Sequence, residues 1–263
     1  MKLTIIGAGN MGGAIACGVA NGSIIESFKI ICSDRSVEAL EKVKQMNPTI
    51  RTTSDNKEAV GKADIVVIAV KPWLTETVLH EIKPLLDYKN QIIVSIVAGV
   101  TFEELIKFLE KEQEAPPALF RLIPNIAIGA QSSMTFISAQ HASQKQIDYI
   151  VSIFNELGAT LMVEERQMAA GTALASCGIA YALRYIRAAT EGGVELGFHP
   201  EQAKNIVLQT LKGAVALLQA NGTHPEAEID KVSTPGGITI RGLNEMEHAG
   251  FTSAVIRGLK ASK

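Results

Sequence analysis

Between residues 232 and 247 the chain reads Val-Ser-Thr-Pro-Gly-Gly-Ile-Thr-Ile-Arg-Gly-Leu-Asn-Glu-Met-Glu, and its first half has the residue types of an anion site. Thr234 and Pro235 set a turn, and Gly236 and Gly237 leave the backbone bare for close approach by a ligand. Ile240, Leu243 and Met246 then recur at helical spacing, so the turn opens into a helix, expected over 239–249. Unpaired N–H groups and a partial positive charge at a helix start suit a carboxylate or phosphate. The backbone at Gly236, Gly237 and Ile238, with the Thr234 hydroxyl, is expected to hold a carboxylate. Thr239 places a neutral hydroxyl beside it, suited to orienting a polar ligand atom; its alternative role is to cap the helix.

The second set of chemistry-bearing residues lies at the other end. Leu3 to Ile6 form a short apolar strand, followed at once by Gly7-Ala8-Gly9-Asn10-Met11-Gly12 and a run of small helical residues. Strand, G-x-G-x-x-G and helix in this order form a dinucleotide fingerprint. Gly7 permits the tight turn, Gly9 lets a pyrophosphate reach the backbone, and Gly12 allows close helix–strand packing. A second strand, 29–33, ends at Ser33-Asp34-Arg35, where such a unit reads the adenosine ribose. Asp34 suits a free 2′-hydroxyl and hence NAD; Ser33 and Arg35 suit a 2′-phosphate and hence NADP. Both readings stand, with NADPH favoured and NADH as an alternative.

These residues need a frame, and the pattern of elements supplies it. Helix 36–46, strand 51–53, helix 56–62, strand 65–69, helix 73–86 and strand 91–96 alternate. Thr101 and Glu104 then make a capping box for a further helix. Ile65-Val66-Val67-Ile68 is apolar throughout, as a strand buried on both faces requires. The class expected is α/β: an N-terminal Rossmann-like doubly wound sheet followed by an all-α C-terminal domain. Ligands in such sheets lie off the strand carboxyl ends. Ala69, Val70, Lys71 and Pro72, and likewise Ala98 and Gly99, leave from that edge and are expected to flank the dinucleotide. Lys71 reads equally as a group beside the nicotinamide ribose or substrate and as a surface lysine. Strand 134–138, helix 143–157 and strand 159–163 complete this half.

Alternation stops after Val163, which places domains at 1–164 and 165–263. Residues 168–196 read as one long helix, apolar on nearly every side as far as Leu183, with small residues at Ala169, Ala170, Gly171, Ala173, Ala175 and Gly178. A helix apolar all round has to be covered, so a subunit interface and at least a homodimer are expected. The site would then be completed by a partner's 233–239 turn. Pro200 and Pro225 each open a helix, and His224 reads as a helix-start residue rather than an acid.

Composition bounds the rest. Hydrophobic residues are 47% and charged residues 20%, so the chain can bury a core. With 25 Lys and Arg against 27 Asp and Glu there is no basic excess for nucleic acid. Cys17, Cys32 and Cys177 are far apart and the five histidines are scattered, so no metal site is expected and a reducing, cytoplasmic setting is. No signal peptide or membrane span is read from the sequence.

The stretch 232–247 resembles the C-terminal signature of pyrroline-5-carboxylate reductase, usually Ser-Pro-Gly-Gly-x-Thr, with Thr234 in place of the serine. Ala69-Val70-Lys71-Pro72, the segment through Ala98-Gly99-Val100, and Glu191-Gly192-Gly193-Val194-Glu195-Leu196-Gly197 also match. Two segments depart from that pattern. Ile126-Ala127 follow Pro124-Asn125 where Thr-Pro is usual, and Ala175-Ser176-Cys177-Gly178-Ile179-Ala180-Tyr181 stands for Ser-Gly-Ser-Gly-Pro-Ala-Tyr. The resemblance puts Asn56 near the adenosine ribose. It implies NAD(P)H-dependent reduction of the C=N bond of L-1-pyrroline-5-carboxylate to L-proline. A hydroxyacid dehydrogenase of the same layout would use a lysine on the long helix, and none occurs between Glu165 and Ala203. A non-catalytic dinucleotide-binding regulator would not need the Pro-Gly-Gly-Ile-Thr site.

Overall fold

The computed structural model describes residues 1–263, which divide into two compact units, Met1–Ser176 and Cys177–Lys263. In the first, one eight-stranded sheet runs in the order β3-β2-β1-β4-β5-β6-β7-β8. Its strands are β1 (Leu3–Ile6), β2 (Ile30–Ser33), β3 (Arg51–Thr53), β4 (Ile65–Ile68), β5 (Ile92–Ser95), β6 (Ala118–Ile123), β7 (Ser133–Gln140) and β8 (Gly158–Met162). The first six pair in parallel; β7 runs antiparallel to β6, and β8 parallel to β7. The sheet is therefore mixed at its far edge, where the sequence signals only strand and not direction.

Two-residue periodicity explains the packing on both faces. Ile5 and Val67 enter one core with Ile15 and Val19 of α1 (Asn10–Ala20), Val43 of α2 (Val37–Met46) and Phe154 of α6 (Gln144–Asn155). Their neighbours Ile6, Val66 and Ile68 enter the other. There they meet Val60 of α3 (Asn56–Val60), Leu79 and Ile82 of α4 (Thr75–Ile82) and Leu105 of α5 (Phe102–Leu109). The expected capping box at α5 forms from Thr101 and Glu104. Register aligns Ile6 with both Ser33 and Ile68, Ile68 with Ser95, and Ser95 with Arg121. The chain thus leaves β1, β2, β4 and β5 along one edge.

The stretch expected as a single helix over 168–196 is broken. Met168–Gly171 (α7) is α-helical, Thr172–Cys177 is π-helical, and α8 resumes at Gly178–Glu195. The Ser176 hydroxyl donates to the Pro124 carbonyl at 3.0 Å and the Asn125 amide to the Ala175 carbonyl at 3.5 Å. These ties to the end of β6 accompany the wider turn. Met168 also packs with Ile123 and Phe136, so compactness carries the first unit past Glu164 to Ser176.

The second unit is all helix: α8, α9 (Pro200–Asn221), α10 (Pro225–Val232), α11 (Ile238–His248) and α12 (Phe251–Ala261). Within it only Ala203 is buried, while Leu183 is 51% and Val215 53% exposed. α8 and α9 pack on each other, yet large apolar side chains on both stay half exposed, which is a surface fit for another chain. No helix is long and apolar enough to cross a membrane.

Candidate functional site: a dinucleotide groove and a glycine turn

Gly7 adopts φ 103°, and a Cβ there would lie 2.5 Å from the Ala69 carbonyl oxygen. At Gly12 a Cβ would lie 1.9 Å from the Gly7 carbonyl oxygen, so α1 packs against the strand exits only as glycine. Gly9 differs, since a Cβ there meets nothing within 4 Å. It is the N-cap of α1, without a side-chain cap and without an acidic residue in the first turn. Open space beside uncapped N–H groups is the cradle a pyrophosphate requires.

That cradle belongs to a groove of about 610 Å³. Gly7, Gly9, Asn10, Met11, Ser33, Asp34, Arg35, Asn56, Ala69, Val70, Lys71, Pro72 and Ala98 line it. Of the expected cofactor residues, Ala8, Gly12 and Gly99 are not on its wall. Ala8 donates its N–H to Asp34 Oδ2 at 2.7 Å, and Gly12 serves packing. The wall also includes Val97, on the strand exit expected to flank the dinucleotide, and Ile96, Ile123, Pro124, Thr172 and Ser176, which sequence reading missed. The signal for the last two was present: they are the hydroxyls that interrupt an apolar run, and the π-helix carries both to the groove.

At the β2 end the polar groups are already in use. Asp34 braces two backbone segments, accepting from Ala8 N–H and, at 2.8 Å, from Ser36 N–H. Ser33 is fully buried and donates its hydroxyl to Asn56 Oδ1 at 2.7 Å. Asn56 in turn donates to Glu81 Oε2 at 3.0 Å. Arg35 is exposed and in no ion pair, a free cation where a 2′-phosphate would need one. Asp34 therefore acts first as a brace for the glycine turn, which is why the identities of Asp34 and Arg35 alone left the choice of dinucleotide open. Burial, then the nearby Cys17 and Asp34, push the Cys32 thiol up to about 12, so it stays protonated and unreactive.

Arg121 pairs with Glu165, whose Oε1 also accepts the Phe102 N–H at 2.7 Å. The departure at Ile126-Ala127 has a local remedy. Asn125 Oδ1 accepts from Ala127 N–H at 3.1 Å and caps a 3-10 turn over Ile126–Ala130, so the bend forms without proline.

In the second unit, the 233–239 turn is built as its residues imply. Gly236 takes φ 69°, and Gly237 N–H donates to the Thr234 carbonyl at 2.9 Å. That bond closes the turn and spends the Gly237 N–H. Gly237 is the N-cap of α11 with no side-chain cap, so the helix starts at Ile238 and Thr239 is its second residue, not its cap. Thr239 is half-buried, Thr234 and Ile238 are exposed, and Ile238 reaches 86%. The Ser233 hydroxyl is buried with no partner, a polar group left unsatisfied beside the turn. Arg241, with no role read from sequence, donates to the Gly236 carbonyl at 3.1 Å and brings a positive charge to the turn. His224 caps α10 through Nδ1, as its place before Pro225 implies.

A doubly wound sheet with an uncapped glycine turn at its switch point defines a dinucleotide-dependent oxidoreductase. Residues 2–99 match the family model for NADP oxidoreductase, coenzyme F420-dependent, and residues 165–263 the model for pyrroline-5-carboxylate reductase dimerisation. Pyrroline-5-carboxylate reductase 1 of Dictyostelium discoideum is 39% identical across 99% of this chain and 48% of its own length. Pyrroline-5-carboxylate reductase 2 of the same organism is 38% identical across 99% and 90%. The crystal structure of the Plasmodium falciparum pyrroline carboxylate reductase with NADP bound superposes with a TM-score of 0.89 at 29% identity, covering 100% of this chain and 95% of that one. The chain belongs to the pyrroline-5-carboxylate reductase family. Its helical half is a dimerisation domain, which accounts for the apolar surface left bare on the single copy.

Proposed function

We infer that the chain reduces the C=N bond of L-1-pyrroline-5-carboxylate to L-proline, with substrate held at the 233–239 turn. The observation that carries this reading is the turn itself: an uncapped α11, a buried unpaired Ser233 hydroxyl and a neutral, half-buried Thr239 hydroxyl. Free N–H groups at Gly236, Ile238 and Thr239, with the Thr234 hydroxyl, receive the ring carboxylate, while the Gly237 N–H keeps the turn closed. Thr239 hydrogen-bonds the ring nitrogen. A neutral hydroxyl suffices because a protonated imine is already electrophilic, and no strong base is required.

NADPH, seated in the groove of the first unit, supplies the hydride. Gly7, Gly9, Asn10 and Met11 receive its pyrophosphate, and Arg35 and Asn56 face its adenosine ribose. Ala69, Val70, Lys71, Pro72 and Ala98 form the wall along which it lies. NADH is accepted as well, since the cradle and strand exits do not depend on the 2′-phosphate. We assign residues 1–164 as the dinucleotide-binding domain and 165–263 as the substrate-binding and dimerisation domain. The free cysteines fit a cytoplasmic setting.

The test is an absorbance assay with purified protein and both nicotinamides. Oxidation of NADPH only on addition of pyrroline-5-carboxylate, with proline formed in equal amount, is expected. Dinucleotide binding without turnover would return the chain to the class of non-catalytic regulators.

A further inference from the structure

Behind the ribose end of the groove lies a relay whose last member touches no wall. Ser33 donates to Asn56 Oδ1, and Asn56 Nδ2 donates to Glu81 Oε2 on α4. Ser33 and Asn56 are both buried, at 0% and 7% exposure, and both border the groove; Glu81 does not. An ionised carboxylate only accepts hydrogen bonds. Glu81 therefore fixes which way the Asn56 amide faces, NH₂ toward α4 and carbonyl toward Ser33. The single Ser33 proton is drawn to that carbonyl and away from the groove. A second effect has the same sign: Glu81 places a negative charge one side chain behind the wall, where a 2′-phosphate would bring two more. Arg35, unpaired at the same end, works in the opposite direction.

We propose that Glu81, acting through Asn56 and Ser33, is the specificity-determining residue that restrains preference for the 2′-phosphorylated dinucleotide and keeps NADH usable. The proposal rests on the groove being the dinucleotide site. Glu81→Gln keeps size and hydrogen bonding while removing the charge, and a glutamine amide lets Asn56 turn over. The Ser33 proton is then free to face the groove, and the repulsion is gone.

The experiment is calorimetric titration of the full-length protein, wild-type and E81Q, with adenosine 2′,5′-diphosphate and with adenosine 5′-monophosphate. The two probes differ only at the 2′ position, so any general loosening of the site cancels in their ratio. The variant is expected to bind the diphosphate roughly three- to tenfold more tightly while the monophosphate changes little. In turnover, the KM for NADPH falls by a similar factor relative to that for NADH, with kcat unmoved. Equal changes for both probes, or none, would overturn the proposal and leave Glu81 as a brace between α3 and α4. If neither probe bound wild-type protein, the groove reading would fail, and the proposal with it.

Discussion

From Met1 to Ser176 the chain buries both faces of an eight-stranded sheet, whereas from Cys177 to Lys263 only Ala203 is buried. Polar groups follow the same division. Around the groove, Ser33, Asp34, Asn56 and Ser176 all have partners inside the chain. At the 233–239 turn, the buried Ser233 hydroxyl has none. One region is complete in a single copy; the other has the unsatisfied surface of something meant to be covered and filled. A groove pre-organised within one copy and a turn left open beside bare apolar helices are thus built into one sequence.

The strongest test of the groove's completeness is Gly9. Because a Cβ there meets nothing and the backbone is extended at φ −65°, Gly9→Val leaves the fold intact. Its branched side chain instead occupies the pyrophosphate cradle. NADPH affinity should fall by at least about 100-fold, the scale set by losing charge-assisted backbone bonds, with an unchanged circular dichroism spectrum. Gly12→Val is the contrasting case: contact at 1.9 Å with the Gly7 carbonyl should prevent folding. Unaltered fluorescence titration of NADPH in the Gly9 variant would remove the groove from the mechanism.

Thr239 tests the other region. Thr239→Ala should lower kcat by about 10²–10³, the cost of one donor that stabilises a transition state, while Thr239→Ser retains much of the rate. Dissociation of NADPH should be unchanged, since no groove residue lies beyond Ser176. The helix starts at Ile238, after the Gly237 N-cap, without help from this side chain, so the melting temperature should hardly move. Mixing Gly9→Val with Thr239→Ala copies asks whether groove and turn serving one substrate come from two copies. If they do, exchange should restore about one quarter of the activity, one working site in two among half of the dimers. If one copy supplies both, the mixture stays inactive.

Legibility in the sequence follows a different division, between local and distant contacts. Ile65 to Ile68, the glycine fingerprint and the Thr101–Glu104 box state local physics, and each forms as its pattern implies. What was not legible depends on distant partners. The antiparallel turn of β7, the π-helical Thr172–Cys177 and the inward-facing Asp34 carboxylate all rest on contacts to residues far off in sequence. The closing helix α12, Phe251–Ala261, has its apolar stripe but no side-chain cap, because Gly250 in the left-handed region starts it instead. At the 233–239 turn, residue types suit an anion, but only geometry shows that Gly237 N–H is spent and that Arg241 stands at the turn.

A smaller effect is expected where the second unit is apolar and bare. Leu183→Glu puts a charge on α8 at a position 51% exposed in the single copy. If the partner covers it, the dimer should weaken by on the order of 2–3 kcal/mol, or thirtyfold or more in dissociation constant. Sedimentation velocity across a micromolar dilution series reads this directly. A monomer fraction identical to wild type would place the interface elsewhere on the helical unit.

The smallest effect concerns the one carboxylate of the second unit that is as well satisfied as those in the first. Glu228 Oε1 accepts from Lys231 at 2.8 Å, Thr223 at 2.5 Å and Asn221 at 3.0 Å, tying the end of α9 to α10. Those hydrogen bonds, Lys231 first, hold its carboxyl down at about 2 against an ordinary 4.5. The folded state therefore binds this proton less readily than the unfolded chain does. The stabilisation is complete above pH 4.5 and lost as the pH falls toward 2. Glu228→Gln should melt roughly 1–2 °C lower than wild type at pH 6, the scale of a well-paired carboxylate near the surface. That gap should close progressively between pH 4.5 and 2, while the Thr239 variants track wild type across the same range. A gap independent of pH would mean that the side chain contributes packing rather than charge, and that the α9–α10 corner leading into the 233–239 turn is held by the His224 cap alone.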